Sequence, residues 1–342
     1  RSIGKAVATR RVRDPQVFAD EAAAACERLL GQKATNVDWP ASRSRRSVRV
    51  YLEDLTVIAT RRKRRERSML EANVLKTLHE HGAAVPAVHA YDGVWLIQEY
   101  LAGERLPHVL VDCDPARAHE LLSSAANGLA RIHAIGAETG LHGKVVQLGT
   151  ADSWLRGLID TPNRIGEALD VAAPTLDGDG LVARLRVGAP SFLKWDARPG
   201  NAVVCEDGSI GWFDWEHCGA RNALDDFAWL LADEYVPQVS GLADIAVANA
   251  PADMDPAAAR EYFLTYATFH TAVRLALVVH HKDDGEWWDE DMCLAEDKVR
   301  VTAAGAALLC GRGAEFAAGT DRTAPLARWF GAIAERLGVE AV

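Results

Sequence analysis

The sequence has few of the features that mark secreted, membrane-spanning or metal-stapled proteins. Its six cysteines are widely scattered and form no CxxC pair, which argues against a disulfide framework and indicates free thiols in a reducing compartment. No apolar run approaches the roughly 20 residues of a membrane span, and residues 1–13 lack the apolar core of a secretory signal. These absences predict a cytoplasmic protein without a membrane partner.

Positive charge is also scarce. The chain has 38 Lys and Arg against 48 Asp and Glu, a net charge of −10, so we expect no general affinity for nucleic acid. One basic stretch, from Arg43 to Arg67, holds ten basic and three acidic residues. It is compatible with a solvated face, a rim that collects phosphate, or a nucleic-acid patch, and the acidic balance of the whole chain favours the first two.

The remaining composition is that of a globular protein. Of the 342 residues, 49% are apolar and 25% are charged, which leaves room for two domains or one lobed one. A capped helix is predicted from Asp14 to Gly31. After it, β-branched alternation over residues 47–60, a helical apolar stripe over 69–78 and a second alternating region over 85–100 predict hairpin, helix and hairpin.

Beyond Gly103 the pattern becomes mainly helical, with one island of short apolar runs. The runs at residues 192–193, 202–205 and 210–213 suit small strands that flank a polar loop. We therefore expect an α+β protein whose amino-terminal part is rich in strands and whose remainder is mainly helical.

This island holds the strongest chemical signal. Asp196 is followed five residues later by Asn201, and Asp214 lies at the end of the next apolar run. Phosphoryl transfer to a hydroxyl needs one carboxylate that orients the attacking alcohol and accepts its proton. It also needs oxygen ligands for Mg²⁺, which the Asn amide and the other carboxylate can supply.

Five further segments surround this loop in an order that makes the combination specific. With it, the six segments are Glu71–Leu78 followed by Val85-Pro86, Gln98–Gly103, Leu129–His133, Asp196–Asn201, Phe213–Glu216 and Asp225–Ala228. They resemble, in that order, the Glu-bearing helix, hinge, Leu-x-x-Leu-His helix, catalytic loop, metal-binding Asp segment and Asp-Leu-Ala of the aminoglycoside phosphotransferase and choline kinase superfamily, relatives of the protein kinases. The resemblance implies a two-lobed protein-kinase-like α+β fold. A small β-rich lobe, residues 1–100, would bind nucleotide, and a large mainly helical lobe, residues 101–342, would hold the catalytic and substrate-binding groups.

The resemblance also implies roles for the residues of the loop. Asp196 would be the catalytic base, and Asn201 and Asp214 would be the magnesium ligands. Arg198, two residues after the base, would steady the γ-phosphate of ATP.

On the nucleotide side, the resemblance makes Glu71 the partner of a basic strand residue that holds the α- and β-phosphates. Arg61 is our candidate for that residue, because Val57, Ala59 and Arg61 share one strand face that would line the nucleotide pocket. Arg62 and Lys63 remain alternatives. The hinge residues that would hydrogen-bond the adenine through their backbones are Glu99, Tyr100 and Leu101.

Two departures from the family pattern stand out. The loop begins Lys194-Trp195-Asp196 where the family usually has His-Gly-Asp, and the segment Ala41–Ser47 before the first hairpin has no glycine. Serine side chains and backbone amides would then replace a glycine-rich flap over the phosphates.

The substrate side is represented by residues 283–297, which hold eight carboxylates and no Lys or Arg. Such a run is usually a polar loop. It is alternatively a substrate wall, in which carboxylates attract a cationic acceptor and indoles cover its faces. The candidates for that wall are Trp287, Trp288, Asp289 and Asp291.

The sequence thus predicts an enzyme, an ATP- and Mg²⁺-dependent small-molecule kinase. Its acceptor would be a hydroxylated compound, neutral or cationic, such as an aminoglycoside or another antibiotic. A kinase of choline or a sugar is an alternative, and so is a catalytically weak nucleotide-binding regulator. The oligomeric state, the choice between ATP and GTP and the hydroxyl attacked are not determined at this level.

Overall fold

The computed structural model describes residues 14–40, 46–283 and 285–340, so most of the flap predicted over Ala41–Ser47 lies outside the described residues. The strands are β1 Ala34–Asp38, β2 Ser47–Leu52, β3 Thr56–Thr60, β4 Val88–Tyr91, β5 Leu96–Glu99, β6 Gly103–Arg105, β7 Ser191–Leu193, β8 Ala202–Cys205, β9 Ile210–Trp212 and β10 Gly219–Arg221. The α-helices are α1 Pro15–Leu30, α2 Arg65–Glu80, α3 Leu106–Asp112, α4 Pro115–Glu138, α5 Asp152–Ile159, α6 Thr161–Leu169, α7 Gly178–Leu185, α8 Leu224–Leu231, α9 Leu242–Ala248, α10 Pro256–Lys282, α11 Glu290–Ala295, α12 Ala303–Ala318 and α13 Pro325–Leu337.

The amino-terminal part is a five-stranded antiparallel sheet in the order β1-β2-β3-β5-β4. Helix α1 begins where the Asp14 carboxylate accepts backbone hydrogen bonds, and it ends at Gly31 in the left-handed conformation, as the sequence predicts. Its apolar side, including Phe18, packs on the sheet face that contains Val57 and Ala59. One face of the sheet is therefore closed by α1.

The opposite face of the sheet is directed toward the rest of the chain. Ile58 and Gln98, which are paired across β3 and β5, lie on that face and line a cavity. Helix α2 buries Val74, Leu75 and Leu78 in the larger core that it shares with α4. The predicted hairpin, helix and hairpin are confirmed, and β1, an additional edge strand, was not predicted.

The second half is mainly helical and includes two small sheets, β6-β8-β9 and β10-β7. The observed class is therefore the predicted α+β. Helix α10 is, within the described parts of the chain, the one helix long and apolar enough to span a membrane. Its most apolar window is 78% buried inside the fold, as is usual for the central helix of a folded core.

Candidate active site

A cavity of about 260 Å³ lies between the five-stranded sheet and the sheet β6-β8-β9. Its walls combine apolar and charged side chains from both sides. Among the lining residues are Arg49, Ile58, Arg62, Val203, Phe213 and Asp214. The apolar members suit a flat ring, whereas Arg62 and Asp214 supply charge at one end.

The hinge residues Glu99, Tyr100 and Leu101 also line this cavity. The Glu99 carboxylate accepts a hydrogen bond from the backbone N–H of Ala87 at 3.0 Å, and the Tyr100 hydroxyl accepts one from Arg49 at 2.9 Å. Strand β5 ends at Glu99, so the backbone of the next two residues lies beyond the ladder, beside the cavity.

The loop after β7 holds the candidate base in an uncommon backbone conformation. Trp195 and Asp196 have φ angles of 52° and 50°, in the left-handed region that non-glycine residues seldom adopt. The Asn201 amide donates hydrogen bonds to the backbone oxygen of Asp196 at 2.9 Å and to its carboxylate at 3.0 Å. The structure therefore brings Asp196 and Asn201 together, as the sequence predicts.

A buried carboxylate on α8 stabilises this loop. Asp226 accepts hydrogen bonds from the backbone N–H groups of Lys194 and Trp195, both at 2.8 Å. The His133 imidazole lies 2.8 Å from the same carboxylate and is itself buried. Asp226 thus holds the backbone next to Asp196, a role that no sequence pattern indicated.

Lys194 occupies the place of the histidine in the family's loop. Its side chain is fully buried, and its Nζ donates a hydrogen bond at 3.0 Å to the backbone oxygen of Asp214. The ammonium lies 5.4 Å from the ring centroid of Trp215. Burial lowers the pKa of Lys194, and nearby carboxylates, Asp196 first, oppose that shift. Lys194 thus links the loop that contains Asp196 to the segment that contains Asp214. Its presence in place of histidine does not remove the Asp196 carboxylate from the site.

The register of β8 and β9 brings the two expected metal ligands close together. Ala202 pairs with Trp212, and the backbone N–H of Phe213 donates to the backbone oxygen of Asn201 at 3.1 Å, so Asp214 follows directly beside Asn201. The Asn201 side chain is buried, and its Oδ1 has no hydrogen-bond partner among the described residues. Such an orphaned oxygen beside a carboxylate fits a metal ligand.

The described parts of the chain contain no group of three or more His, Cys, Asp or Glu side chains placed to hold a metal ion. One amide and one carboxylate are nevertheless what Mg²⁺ uses when phosphate oxygens and water complete its six ligands. The residues present therefore fit a metal that arrives with a nucleotide.

The basic residue that pairs with Glu71 is Arg62. Its guanidinium donates to both Glu71 carboxylate oxygens, at 2.9 and 2.8 Å, and to Asp214 at 2.8 Å, and Glu216 lies 3.2 Å away. Burial disfavours the charge of Arg62, but Glu71 and Asp214 outweigh it and raise its pKa well above the ordinary value. Arg62 is therefore a permanent cation at the charged end of the cavity.

The expectation that Arg61 pairs with Glu71 and lines the cavity is wrong. Arg61 forms an ion pair with Glu21 on α1 at 2.5 Å, and its guanidinium lies 5.0 Å from the ring centroids of both Phe18 and Trp95. The face that holds Val57 and Ala59 is closed by α1, so the cavity receives the alternate residues Ile58 and Arg62. Lys63 is exposed in the turn that follows.

These two neighbouring arginines provide a matched test. Arg62→Met should lower kcat/KM for ATP by about 10²-fold, because the phosphates lose a positioned cation. Arg61→Met should leave kcat/KM within about twofold and cost no more than ~1 kcal/mol of stability through its lost surface ion pair. Steady-state kinetics on both variants, with urea unfolding, checks this. Equal kinetic losses in the two variants would contradict the assignment.

Arg198 is held by two carboxylates. It lies 3.0 Å from Asp297 and 3.6 Å from Asp196, and Asp297 also lies 2.9 Å from Arg105. Asp297 is buried with a φ of 51° and comes from the acidic carboxy-terminal segment. Nothing in the sequence pattern distinguished it from the other seven carboxylates of that segment.

The structure does not bring the four residues of the expected substrate wall to the cavity. The Trp287 ring has the Lys282 ammonium 4.9 Å from its centroid, and Lys298 lies 5.6 Å from the centroid of Trp288. Asp289 caps helix α11 by accepting from the N–H of Met292, and Asp291 is exposed in its first turn. Each of the two indoles thus already has a lysine of the chain itself near one face.

Behind the catalytic loop, α10 contributes His270, which is 3% exposed and lies 4.3 Å from Trp229 between ring centroids. Burial lowers the pKa of His270 to about 3, and Arg274 acts in the same direction. The imidazole is therefore neutral in the folded protein.

Acidification should consequently destabilise the protein through His270. In the unfolded chain its pKa is near 6.5, so the unfolded state takes up the proton first. The stability is fully present above that pH and decreases as the pH falls toward the folded-state pKa, by about 2 kcal/mol between roughly pH 7 and pH 5. The free energy of unfolding of His270→Phe should fall less steeply with acidification than that of the wild type. Parallel pH profiles for the two proteins would contradict this assignment.

The fold and site define a kinase-like phosphotransferase. A strand-rich part is joined to a helical part, and the cavity between them has an ion-paired cation, a loop carboxylate and an Asn–Asp pair that suits Mg²⁺. A sequence profile of APH, the phosphotransferase enzyme family, matches residues 39–262, about two thirds of the chain. The chain belongs to this family. The predicted superfamily, the kinase-like fold and the prediction of a small-molecule kinase are thereby confirmed.

Solved structures show the same fold at low sequence identity. The chain is similar to the apoenzyme of the macrolide 2'-phosphotransferase MphH from Brachybacterium faecium, with 16% identity, a TM-score of 0.55, and coverage of 77% of this chain and 93% of that one. It is also similar to APH(2'')-IIa in its gentamicin complex, with 14% identity, a TM-score of 0.53, and coverage of 83% and 94%. The streptomycin and ATP ternary complex of APH(2'')-IIa matches at 14% identity and a TM-score of 0.51, covering 81% and 94%. A comparison with curated proteins returns no significant match.

Proposed function

We propose that the protein transfers the γ-phosphoryl group of ATP to a hydroxyl of a small molecule, with Mg²⁺ as the metal. The observation on which this rests most is the convergence of Asp196, Asn201 and Asp214 beside a cavity whose charged end holds Arg62. The first three groups come from one stretch of the chain and Arg62 from a strand end far from it in sequence, and each has the chemistry that phosphoryl transfer needs.

The cavity suits a nucleotide in shape and charge. Ile58, Val203 and Phe213 offer apolar contacts for a base, and the hinge backbone after Glu99 offers hydrogen bonds to its edge. Arg62, fixed by Glu71, would hold the α- and β-phosphates. The ATP complex of the similar APH(2'')-IIa supports ATP as the donor. ATP as the donor favours a cytoplasmic location of the protein. The boundary between the two lobes is proposed to lie near residue 100.

When bound, Mg²⁺ would neutralise phosphate charge, and Asn201 Oδ1 and the Asp214 carboxylate are the groups of this chain that would hold it. Asp196 orients the acceptor hydroxyl and takes up its proton as the acceptor oxygen bonds to the γ-phosphorus. The bond from that phosphorus to the β–γ bridging oxygen breaks, and ADP leaves with that electron pair. Arg198, which pairs with Asp297 and lies 3.6 Å from Asp196, would steady the transferred group.

The similar macrolide 2'-phosphotransferase MphH and the gentamicin complex of APH(2'')-IIa support an antibiotic as one class of acceptor. Choline-like alcohols and sugars have the same reacting group and are the alternative. A screen of hydroxylated compounds with ATP and Mg²⁺, read by ADP formation and by the mass gain of one phosphoryl group, tests the proposal. Acceptor-dependent ADP formation that EDTA abolishes is expected. Nucleotide binding without ATP consumption for any acceptor would instead indicate a regulator.

A further inference from the structure

Three partly exposed tryptophans form a continuous surface next to the candidate base. Trp195 directly precedes Asp196, and its ring lies 5.4 Å from Trp229 on α8 and 6.1 Å from Trp154 on α5, between centroids. We call Trp154, Trp195 and Trp229 the tryptophan surface. Core indoles of this protein, such as Trp212, are fully buried, so the partial exposure of these three rings is not explained by core packing.

The position of Trp195 restricts what the surface can contact. Trp195 and Asp196 are consecutive, so their Cα atoms lie about 3.8 Å apart. Asp226 accepts a hydrogen bond from the backbone N–H of Trp195 and so fixes the main chain that carries the indole. The tryptophan surface therefore begins at the residue next to the candidate base.

The carboxylates behind the surface are already neutralised by arginines. Asp225 forms a buried ion pair with Arg221, whose guanidinium also lies 5.0 Å from the Trp154 ring centroid. Glu234 and Asp233 lie 2.5 and 3.7 Å from Arg274. Asp225 and Glu234 are thus closely paired with arginines. A polycationic acceptor needs unpaired carboxylates to replace its water, and these two do not supply them.

Two polar groups beneath the surface lack partners. Trp229 Nε1 and His270 Nε2 are buried, and neither has a hydrogen-bond partner among the described residues. His270 is neutral, so it adds a polar atom without charge. A ligand hydroxyl or a water that reached either nitrogen would give a buried polar group the hydrogen-bond partner that it lacks.

We infer that the tryptophan surface is the acceptor subsite and that it selects a hydroxylated molecule with an apolar, CH-rich or aromatic face and at most one positive charge, in preference to a polycation. The inference rests on the proposed function, because it assumes that a hydroxyl beside Asp196 is phosphorylated. Indole faces bind the apolar faces of sugars and rings because contact removes apolar surface from water. The free energy gained in this way does not depend on the net charge of the ligand.

The test compares acceptors that differ in aromatic area and in positive charge. Glucose and p-nitrophenyl β-glucoside differ by an aromatic face, and a macrolide with one amino sugar differs from gentamicin and streptomycin in charge. We expect kcat/KM for the aryl glucoside to exceed that for glucose at least tenfold, and the macrolide to exceed both polycations. A polycation as the best acceptor, with a KM that rises steeply with salt, would overturn the inference.

Variants locate the effect on the protein. With the best acceptor, Trp229→Leu and Trp195→Leu should each raise its KM about tenfold or more and leave the KM for ATP within about twofold. Trp287→Leu, a tryptophan outside the surface, is the matched control and should change neither value. Thermal unfolding and the unchanged KM for ATP establish that the variants are folded.

The outcomes separate the inference from the proposed function. Acceptor phosphorylation that requires Asp196 but does not respond to Trp195 or Trp229 overturns the inference alone. If no compound supports ADP formation, the proposed function fails and the inference fails with it. A loss confined to the acceptor KM in the two surface variants supports both.

Discussion

Asp196→Asn is expected to lower kcat by about 10³-fold while the KM for ATP stays within about twofold of the wild-type value. The carboxylate is the group beside Asn201 that can take the proton of the attacking hydroxyl, and an amide cannot accept it. The ATP cavity is lined by other residues, so nucleotide binding should be retained. Steady-state kinetics with a hydroxyl acceptor, together with a direct ATP titration, measures both quantities.

The substitution should leave the protein folded. The loop backbone is held by Asp226 through the N–H groups of Lys194 and Trp195, neither of which involves the Asp196 side chain. Thermal unfolding of the variant should therefore match the wild type closely. Wild-type turnover in Asp196→Asn would refute the role of base, and loss of ATP binding in a folded variant would assign Asp196 to the nucleotide instead.

Asp214→Asn should abolish most Mg²⁺-dependent activity, with a loss in kcat/KM of about 10³-fold or more at ordinary Mg²⁺ concentrations. The change removes the charged member of a two-residue ligand set and also an ion pair to Arg62 at 2.8 Å. Raising the Mg²⁺ concentration should recover part of the activity. A titration of activity against Mg²⁺ should therefore show a higher half-saturating concentration in the variant.

A nearby carboxylate offers the control for Asp214. Asp207 lies in the exposed turn between β8 and β9, where it accepts hydrogen bonds from the Ser209 N–H and hydroxyl. Asp207→Asn removes the same charge from the same hairpin but should leave the Mg²⁺ dependence unchanged. An equal shift of the Mg²⁺ titration in the two variants would show that the loss of one negative charge from this hairpin causes the effect. The assignment of Asp214 as a metal ligand would then be wrong.

Much of the architecture could be predicted because it depends on local chemistry. The β-branched alternation of β2 and β3, the Asp14 cap of α1 and the short apolar runs of β8 and β9 each determine their own element. The proximity of Asp196 and Asn201 was predictable for the same reason, since they lie five positions apart in one tight loop.

The error at Arg61 shows where local reasoning fails. Alternation along β3 correctly separates two faces, but it does not say which face is closed by a helix from elsewhere in the chain. Helix α1 takes the face with Val57 and Ala59, and that choice depends on long-range packing. The cavity therefore received the residue one position later, Arg62.

The amino-acid sequence by itself determined the class of fold, the order hairpin, helix and hairpin in the amino-terminal part, and the proximity of Asp196 and Asn201. The tertiary structure alone decided the pairings between distant segments: Arg62 with Glu71, Asp297 with Arg198 across 99 positions, and Trp195 with Trp229. The physical reason is that periodicity and turn chemistry act over a few residues. Burial and charge compensation are satisfied only by neighbours that the folded chain brings together.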